Sequence, residues 1–312
     1  MVRLTSLAFL AGFVATAVYA SSSPDLAAKK ERAMAQLSPA VQRYLATLDE
    51  SEYELDLDGA DEDEGQLAER ADSSLQDAAS GAWKGCKNSA VSISFDDGSY
   101  DYRQNLLDIW TGGHQVSFMI NGNNYRCGYD AASVSGNRRA LAAGHLIASH
   151  SWGHYDFGQA GTSHDIIDRQ IELLEEMTLK TLGIVPRYFR FPYGSFAPET
   201  SQYIRKKYGY RIIQWSDDSG DSSGAPASQS IAMYNRFKKG EQHLVLNHET
   251  YESSVKQVAP AAKKALDKLG VKSVTADKCI GATVSPYKVK TNPQKRDSSW
   301  TCEGKPRPGQ PK

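Results

Sequence analysis

The sequence lacks a strong charge imbalance, an apolar run long enough to span a membrane, and any C-x-x-C cysteine pair. It holds 36 Lys and Arg against 37 Asp and Glu, a formal net charge of −1. This near-neutral balance argues against a nucleic-acid binder, which would carry a basic stripe. The short apolar runs argue against a membrane span, and the cysteine spacing argues against a cysteine zinc site. No feature points to a protein partner.

The first twenty residues have the pattern of a secretory signal peptide. Arg3 supplies a positive charge, Leu7 to Val18 form an apolar run, and Ala20 ends a small-residue cleavage pattern. We therefore expect residues 1–20 to be removed and the protein to be secreted, to the extracellular space or cell wall. Four cysteines suit such an oxidising compartment and allow three pairings. They are Cys86, Cys127, Cys279 and Cys302.

Residues 21–82 differ in composition from the rest of the chain. A helix-prone stretch from Leu26 to Leu48 precedes eleven acidic residues between Asp49 and Glu69, against the single base Arg70, a local charge of −10. Such a block repels itself and stays solvated. We interpret 21–82 as an acidic pro-segment or disordered spacer. A calcium site is a lesser alternative, because the spacing matches no known loop.

From residue 90 onward, short β-branched runs alternate with helical patterns. Predicted strands are 90–96, 115–121, 145–150, 187–191, 211–216, 243–248 and 272–275. Predicted helices are 102–110, 165–182, 198–208, 228–238 and 253–269. Seven such units predict an α/β fold in which parallel strands close into a distorted β/α barrel over 83–284. A doubly wound open sheet is the alternative, but no Gly-rich phosphate loop follows the first strand. Residues 285–312 form a basic C-terminal tail.

Polar side chains collect where predicted strands end, which is the face where barrels keep their active sites. Asp96 and Asp97 come at the end of the first strand. Placing two carboxylates beside an apolar core costs desolvation free energy, which indicates a functional role for them. The alternative is that they only form an Asp–Gly turn. His150 and His154 follow the third strand. Two imidazoles at this spacing can converge on one metal ion, and Asp97 would complete a set of three ligands.

Three further strand ends carry polar groups. Arg190 ends the fourth strand, where a guanidinium usually has a carboxylate partner. Asp218 and Asp221 follow the fifth strand, and His248 ends the sixth. The other histidines are interpreted as structural or surface residues: His114, His145, His164 and His243.

These five groups together resemble the polysaccharide deacetylase family, the NodB-homology domain of carbohydrate esterases that includes chitin deacetylases. The motifs are Phe95-Asp96-Asp97-Gly98, His150-Ser-x-x-His154, Arg190-x-Pro192-Tyr193, Asp218-x-x-Asp221 and Leu246-x-His248. The resemblance covers about 84–281 and implies a distorted β/α barrel with a divalent metal, zinc or in some members cobalt. Residues 121–125 and 296–302 further resemble secreted fungal members.

The resemblance also implies a role for each residue. Asp97, His150 and His154 would bind the metal. Asp96 would be the general base, held by Arg190, and the Tyr193 N–H would stabilise the oxyanion. His248 would be the general acid, oriented by Asp221 or, less favourably, by Asp218. Leu246 would line the slot for the acetyl methyl group, and Tyr193 and Trp152 would also contact substrate.

Two positions depart from the family pattern. Ser99 stands where Pro is common, which should alter only the stiffness of the loop. Ser222 stands where an aromatic residue is common, so one apolar wall of the acetyl slot is either missing or supplied from elsewhere, which bears on substrate preference. The resemblance implies removal of N-acetyl groups from N-acetylglucosamine polymers, chitin or chitooligosaccharides. Alternatives are an O-acetyl xylan esterase and an inactive carbohydrate-binding protein. Related sequences carry cysteines at similar points, which implies the pairs Cys86–Cys279 and Cys127–Cys302.

Overall fold

The structure is a computed structural model, and it describes residues 24–61 and 75–311. The expected signal peptide therefore lies outside the described residues, as do positions 62–74 of the acidic segment. Ten strands are described: β1 (Tyr53–Leu55), β2 (Val91–Gly98), β3 (Ser117–Ile120), β4 (Leu146–Ser149), β5 (Ile184–Pro186), β6 (Tyr188–Phe189), β7 (Arg211–Ile212), β8 (Asp217–Asp218), β9 (His243–His248) and β10 (Tyr287–Thr291).

Seven of these strands form one sheet in the order β7-β6-β4-β3-β2-β9-β8, and every pair in it is parallel. β2 is buried along its whole length, as expected for a parallel strand covered on both faces. The parallel α/β architecture predicted from the sequence is confirmed.

One short segment of chain explains how this sheet curls towards closure. β7 and β8 are its two edges, yet only residues 213–216 separate them in sequence. The Ile213 N–H donates to Phe189 O at one edge, and the Ser216 N–H donates to Leu244 O at the other, each at 2.9 Å. The sequence predicts a single strand over 211–216; the chain instead crosses from one edge to the other there.

Helices cover the sheet, and three precede it in the described chain. They are α1 (Pro24–Ala35), α2 (Pro39–Leu45), α3 (Asp58–Asp61), α4 (Arg103–Ile109), α5 (Ala131–Ala142), α6 (His164–Leu182), α7 (Pro198–Tyr208), α8 (Ala227–Asn235), α9 (Ala259–Leu269) and α10 (Ala276–Cys279). The last predicted helix is α9 preceded by a π-helical turn, Ser254–Val258. None of the described helices combines the length and apolar character needed to cross a membrane.

Two elements differ from the sequence prediction. Helix α5 was not expected, because it buries small polar residues such as Ser133 and Asn137 rather than a regular apolar stripe. The predicted strand 272–275 is wrong: Val274 makes a single bridge to Ser92, and the neighbours of β2 along its length are β3 and β9.

The beginning and end of the described chain form a second, antiparallel sheet with the order β1-β10-β5. Val41 and Leu45 of α2 are buried against Leu179, Val185 and Val289. Residues 24–57 therefore pack on the domain, which corrects the expectation of a disordered spacer for this part of 21–82. The extent of the catalytic domain stays a prediction.

Buried charge pairs fasten this second sheet to the domain. Lys288 Nζ of β10 lies 2.5 Å from a Glu175 carboxylate oxygen, and both side chains are almost fully buried. Arg187, which precedes β6, lies 2.7 Å from an Asp56 oxygen. Two disulfides, Cys86–Cys279 and Cys127–Cys302, also cross-link distant parts of the chain. They are the pairs expected from the sequence.

Candidate active site

The two adjacent aspartates reach the same site because β2 bulges at its end. Asp96 pairs with Met119 and Gly98 with Ile120, so Asp97 is an extra residue without a partner on β3. Asp97 has φ of 71°, an uncommon conformation for a residue with a Cβ. Successive strand side chains normally point to opposite faces. The bulge provides the bend that both carboxylates need.

The loop after β4 brings His150 and His154 to Asp97. The Nδ1–H of His150 donates to the Arg190 carbonyl at 2.8 Å, which leaves the Nε2 lone pair for a ligand. That Nε2 lies 3.5 Å from Asp97 Oδ1, and His154 Nε2 lies 3.0 Å from the same oxygen. The expected three ligands thus converge.

The donor atoms of these residues fit a divalent metal. One ligand atom from each of Asp97, His150 and His154 lies within 4.8 Å of the others. Asp97 Oδ1 is buried and accepts no hydrogen bond of good geometry. Burial alone would raise the pKa of Asp97, but the two imidazoles hold it below its usual value, so the carboxylate is charged. A carboxylate with two imidazoles is a donor set that suits zinc and related ions.

Arg190 holds Asp96 beside these ligands. Its Nη1 donates to Asp96 Oδ1 and to Ser94 Oγ, each at 2.7 Å. Its other nitrogens donate to the Ile213 and Gln214 carbonyls at 3.1 and 2.8 Å, so the guanidinium is anchored on two sides. Arg190 is fully buried and Asp96 nearly so. This is the carboxylate partner expected for Arg190.

Asp221, and not Asp218, supports His248. Asp221 Oδ1 lies 2.7 Å from His248 Nδ1, and its Oδ2 accepts from the His248 backbone N–H at 2.8 Å and from Ser254 Oγ at 2.6 Å. Burial alone would lower the pKa of His248, but the Asp221 carboxylate raises it to about 9. Asp218 is exposed and accepts from the Gly220 N–H.

Asp96, Asp97, His150, His154 and His248 line one open cleft of about 480 Å³ at the C-terminal ends of the strands. Tyr193 stands at its edge with 68 % of its surface exposed and φ of 59°. Its ring packs edge-on against His154, with centroids 4.5 Å apart. Leu246 forms part of the cleft wall and is 4 % exposed.

Comparison with known proteins identifies this arrangement. Residues 84–213 match the family model described as polysaccharide deacetylase. Over these residues the chain is similar to polysaccharide deacetylases. The resemblance recognised in the sequence is therefore confirmed, although the Asp221 and His248 groups lie beyond the matched residues.

Individual relatives agree with this assignment. The chain is 31% identical over 201 residues to a chitin deacetylase of Pestalotiopsis sp, covering 63% of this chain and 65% of that one. A probable peptidoglycan-N-acetylglucosamine deacetylase of Arthroderma benhamiae is 29% identical over 195 residues, covering 61% and 44%. The solved chitin deacetylase of Colletotrichum lindemuthianum superposes with a TM-score of 0.60 at 27% identity, covering 65% and 93%. These likenesses support the predicted class, a polysaccharide deacetylase hydrolase.

The structure corrects one predicted contact. Trp152 is fully buried, its Nε1–H donates to Pro306 O at 3.0 Å, and it does not line the cleft. Trp215 lines the cleft instead and lies under Arg190, with the guanidinium 5.7 Å from its ring. Trp215 is thus available as the apolar wall that Ser222, also in the cleft, does not supply.

Several residues of the deacetylase cleft were not singled out from the sequence. Tyr125, Asn124 and Tyr251 lie in loops of the cleft wall, and no periodic pattern marks such loop residues. Glu249 and Arg103 lie behind the site, 2.6 Å apart and buried. The sequence did offer a signal for this pair, because Glu249 directly follows His248 at the end of a buried strand. A carboxylate buried there needs a charged partner to offset its desolvation.

Proposed function

We propose that this protein is a metal-dependent hydrolase that removes N-acetyl groups from N-acetylglucosamine polymers, chitin or chitooligosaccharides. One observation carries the proposal: three metal-ligand side chains, the Asp96–Arg190 pair and the Asp221–His248 pair face one cleft. This is the set needed to cleave an amide with water: an electrophile site, a base and an acid.

In this proposal, Asp97, His150 and His154 hold the metal, with zinc the first candidate and cobalt the second. A divalent ion there would acidify a bound water and polarise the acetyl carbonyl. Asp96 takes the proton from the attacking water. Its contact with Arg190 keeps the Asp96 carboxylate oriented towards the site.

His248 gives a proton to the departing amine, which is a poor leaving group without one. Asp221 fixes Nδ1, so Nε2 is the atom that serves the cleft. With its pKa raised to about 9, His248 carries its proton at neutral pH. A protonated His248 is the state that a general acid needs before the reaction.

The remaining groups would bind the substrate. The Tyr193 backbone N–H would donate to the oxyanion that forms on the acetyl carbonyl. Leu246 and Trp215 would flank the acetyl methyl group. Tyr125 and Tyr193 are 53 % and 68 % exposed in the cleft wall, and such aromatic faces suit sugar rings.

A direct assay of acetate release would test which polymer is the substrate. Relatives are named for chitin and for peptidoglycan, and both polymers contain N-acetylglucosamine, so the same amide would be cleaved. We expect acetate release from chitooligosaccharides that stops with a chelator and returns with Zn²⁺ or Co²⁺. Acetylated xylan tests the esterase alternative and peptidoglycan tests the other polymer. Absence of acetate from every substrate would favour the inactive carbohydrate-binding alternative.

We also propose that the protein works outside the cell. Both disulfides join distant parts of the chain, with sequence separations of 193 and 175 residues. Such bonds persist in oxidising compartments. Finding the chain with residues 1–20 removed in culture medium or cell wall would agree, and finding it intact and reduced inside cells would contradict this.

A further inference from the structure

The loop that carries both imidazole ligands has an unfavourable backbone. Ser151 has φ of 69° and His154 has φ of 53°, so two non-glycine residues within four positions are left-handed. This conformation crowds the Cβ against the backbone and persists only where surrounding contacts hold it. The contacts that hold this loop therefore bear on the geometry of the metal ligands.

Many of those contacts come from the end of the chain. The Gly309 N–H donates to Gly153 O at 2.6 Å. The Gln170 side chain links the two segments, because its Oε1 accepts from the Gly153 N–H at 2.8 Å while its Nε2 donates to Gln310 O at 3.0 Å. Gly153 is the residue directly before the ligand His154, so the tail contacts reach to one position from the metal site.

One backbone carbonyl of the C-terminal segment links the loop between His150 and His154 to the neighbouring loop at Asn123. Pro306 O accepts from Trp152 Nε1 at 3.0 Å and from Asn123 Nδ2 at 2.8 Å. The Trp152 carbonyl in turn accepts from the Gly122 and Asn123 backbone N–H groups at 2.9 and 2.7 Å. The burial of Trp152, which a substrate role does not explain, is explained by this network.

The same tail is fixed covalently and by a cation. Cys302 at its start is bonded to Cys127. Lys305 Nζ lies 4.5 Å from the Tyr129 ring centre and 5.5 Å from that of Trp152. The disulfide, the cation–π contacts and the hydrogen bonds therefore hold residues 302–311 against the loop between His150 and His154 and against the neighbouring residues 123–129.

We propose that residues 302–311, the C-terminal strap, position the His150–His154 loop for metal binding and that Cys127–Cys302 anchors the strap. The strap contributes no ligand; it holds the left-handed loop on which two ligands stand. Outer contacts of this kind typically change metal affinity 10–100-fold. This inference rests on the metal site of the proposed function.

The two disulfides provide a matched pair of variants for the test. One variant replaces Cys127 and Cys302 by Ser, and the other replaces Cys86 and Cys279 by Ser. The loops closed are similar, 175 and 193 residues, so the loss of chain constraint should be nearly equal. Cys86 and Cys279 lie near the start of β2, at the opposite end from Asp97. Only the first variant should lose metal affinity.

The measurement is the Kd for Zn²⁺ by competition with a chelating dye, together with the visible spectrum of bound Co²⁺. We expect the Cys127/Cys302 variant to bind 10–100-fold more weakly with an altered Co²⁺ spectrum, and the Cys86/Cys279 variant to keep the wild-type values. A second pair avoids the disulfides: a chain ended after Lys305 should lose affinity similarly, and one ended after Gln310 should not.

Two results overturn the inference. Either the Cys127/Cys302 variant and the chain ended after Lys305 both keep the wild-type Kd, or both disulfide variants weaken metal binding equally. If the wild-type protein binds neither Zn²⁺ nor Co²⁺, the metal site of the proposed function fails as well. The inference and the proposed function are thereby tested separately.

Discussion

Buried charge is arranged differently on the side of the antiparallel sheet and at the cleft. Beside the antiparallel sheet, Glu175 is paired with Lys288, and both are satisfied within the chain. At the cleft, Asp97 is buried with one oxygen that accepts no hydrogen bond of good geometry. In a fully paired buried charge the attraction of the partner offsets the desolvation penalty, whereas an incompletely paired charge destabilises the fold unless other contacts offset its cost.

Backbone geometry separates the same two regions. Of the six left-handed non-glycine residues in the described part of the chain, four lie at the cleft or in the ligand loop, and the other two, Asn88 and Ser89, lie in the turn before β2. The strands of the antiparallel sheet contain none. Strain that gathers at one place is a mark of a functional site. The comparison therefore predicts that cleft variants change chemistry, whereas variants beside the antiparallel sheet change stability.

The largest expected effect separates the two adjacent aspartates of the cleft. Asp96→Asn should lower kcat by about 10²–10⁴-fold, because a positioned general base is lost, and should keep the metal. Asp97→Asn should lower metal affinity, with activity partly restored by added metal. The measurement is metal content by elemental analysis beside acetate release. If Asp96→Asn emptied the site while Asp97→Asn retained a full complement, the two roles would be reversed.

The next effect belongs to the opposite region. Glu175→Gln leaves the buried Lys288 charge without its partner, and such changes cost about 3–5 kcal/mol in the free energy of unfolding. Denaturant titration measures this loss, while Zn²⁺ affinity of the folded protein should not change. Glu252→Gln is the matched control, since its pair with Lys256 is exposed and should contribute nothing measurable. Loss of metal affinity at unchanged stability in Glu175→Gln would refute the division of roles.

A smaller effect concerns the pH dependence of the cleft. His248 must be protonated to act as an acid, so activity should fall as pH rises through its pKa of about 9. Asp221 is what raises that pKa; burial acts in the opposite direction. Asp221→Asn should therefore move the alkaline limb of kcat/KM to lower pH by about one to three units. Asp218→Asn, in the same cleft, should leave the limb where it is.

The sequence predicted the chemistry of the cleft better than the shape of the molecule. Parallel strands place their C-terminal ends together, so residues such as Asp97, His150 and His248 could be grouped without knowing any distance. The resemblance of these residues to the family motifs then implied a role for each of them. The choice between Asp218 and Asp221 could not be made from the sequence, because it depends on how Gly220 turns the chain, and that turn directs only Asp221 to His248.

Long-range pairing explains what the sequence could not predict. The acidic composition around Asp56 indicated a solvated segment, but Arg187, far away in sequence, provides a buried partner for that carboxylate. Tyr287–Thr291 read as part of a polar tail, yet it pairs with strands on both sides. Trp152 stood next to ligands in sequence and was assigned to substrate; its ring faces the C-terminal strap instead.

The smallest expected effect concerns the acyl slot. Leu246 is 4 % exposed and lines the cleft two residues before His248, so Leu246→Ala should leave the proton donor in place and enlarge the slot. A methylene in an apolar pocket is worth about 10-fold or somewhat more in discrimination. The ratio of kcat/KM for N-propionyl over N-acetyl chitooligosaccharides should therefore rise by about that factor. Leu244→Ala is the control, since Leu244 is buried in the same strand away from the cleft and its loss should lower stability alone. An unchanged ratio in Leu246→Ala, or an equal rise in Leu244→Ala, would mean that the acetyl methyl group lies elsewhere, with Trp215 the next residue to vary.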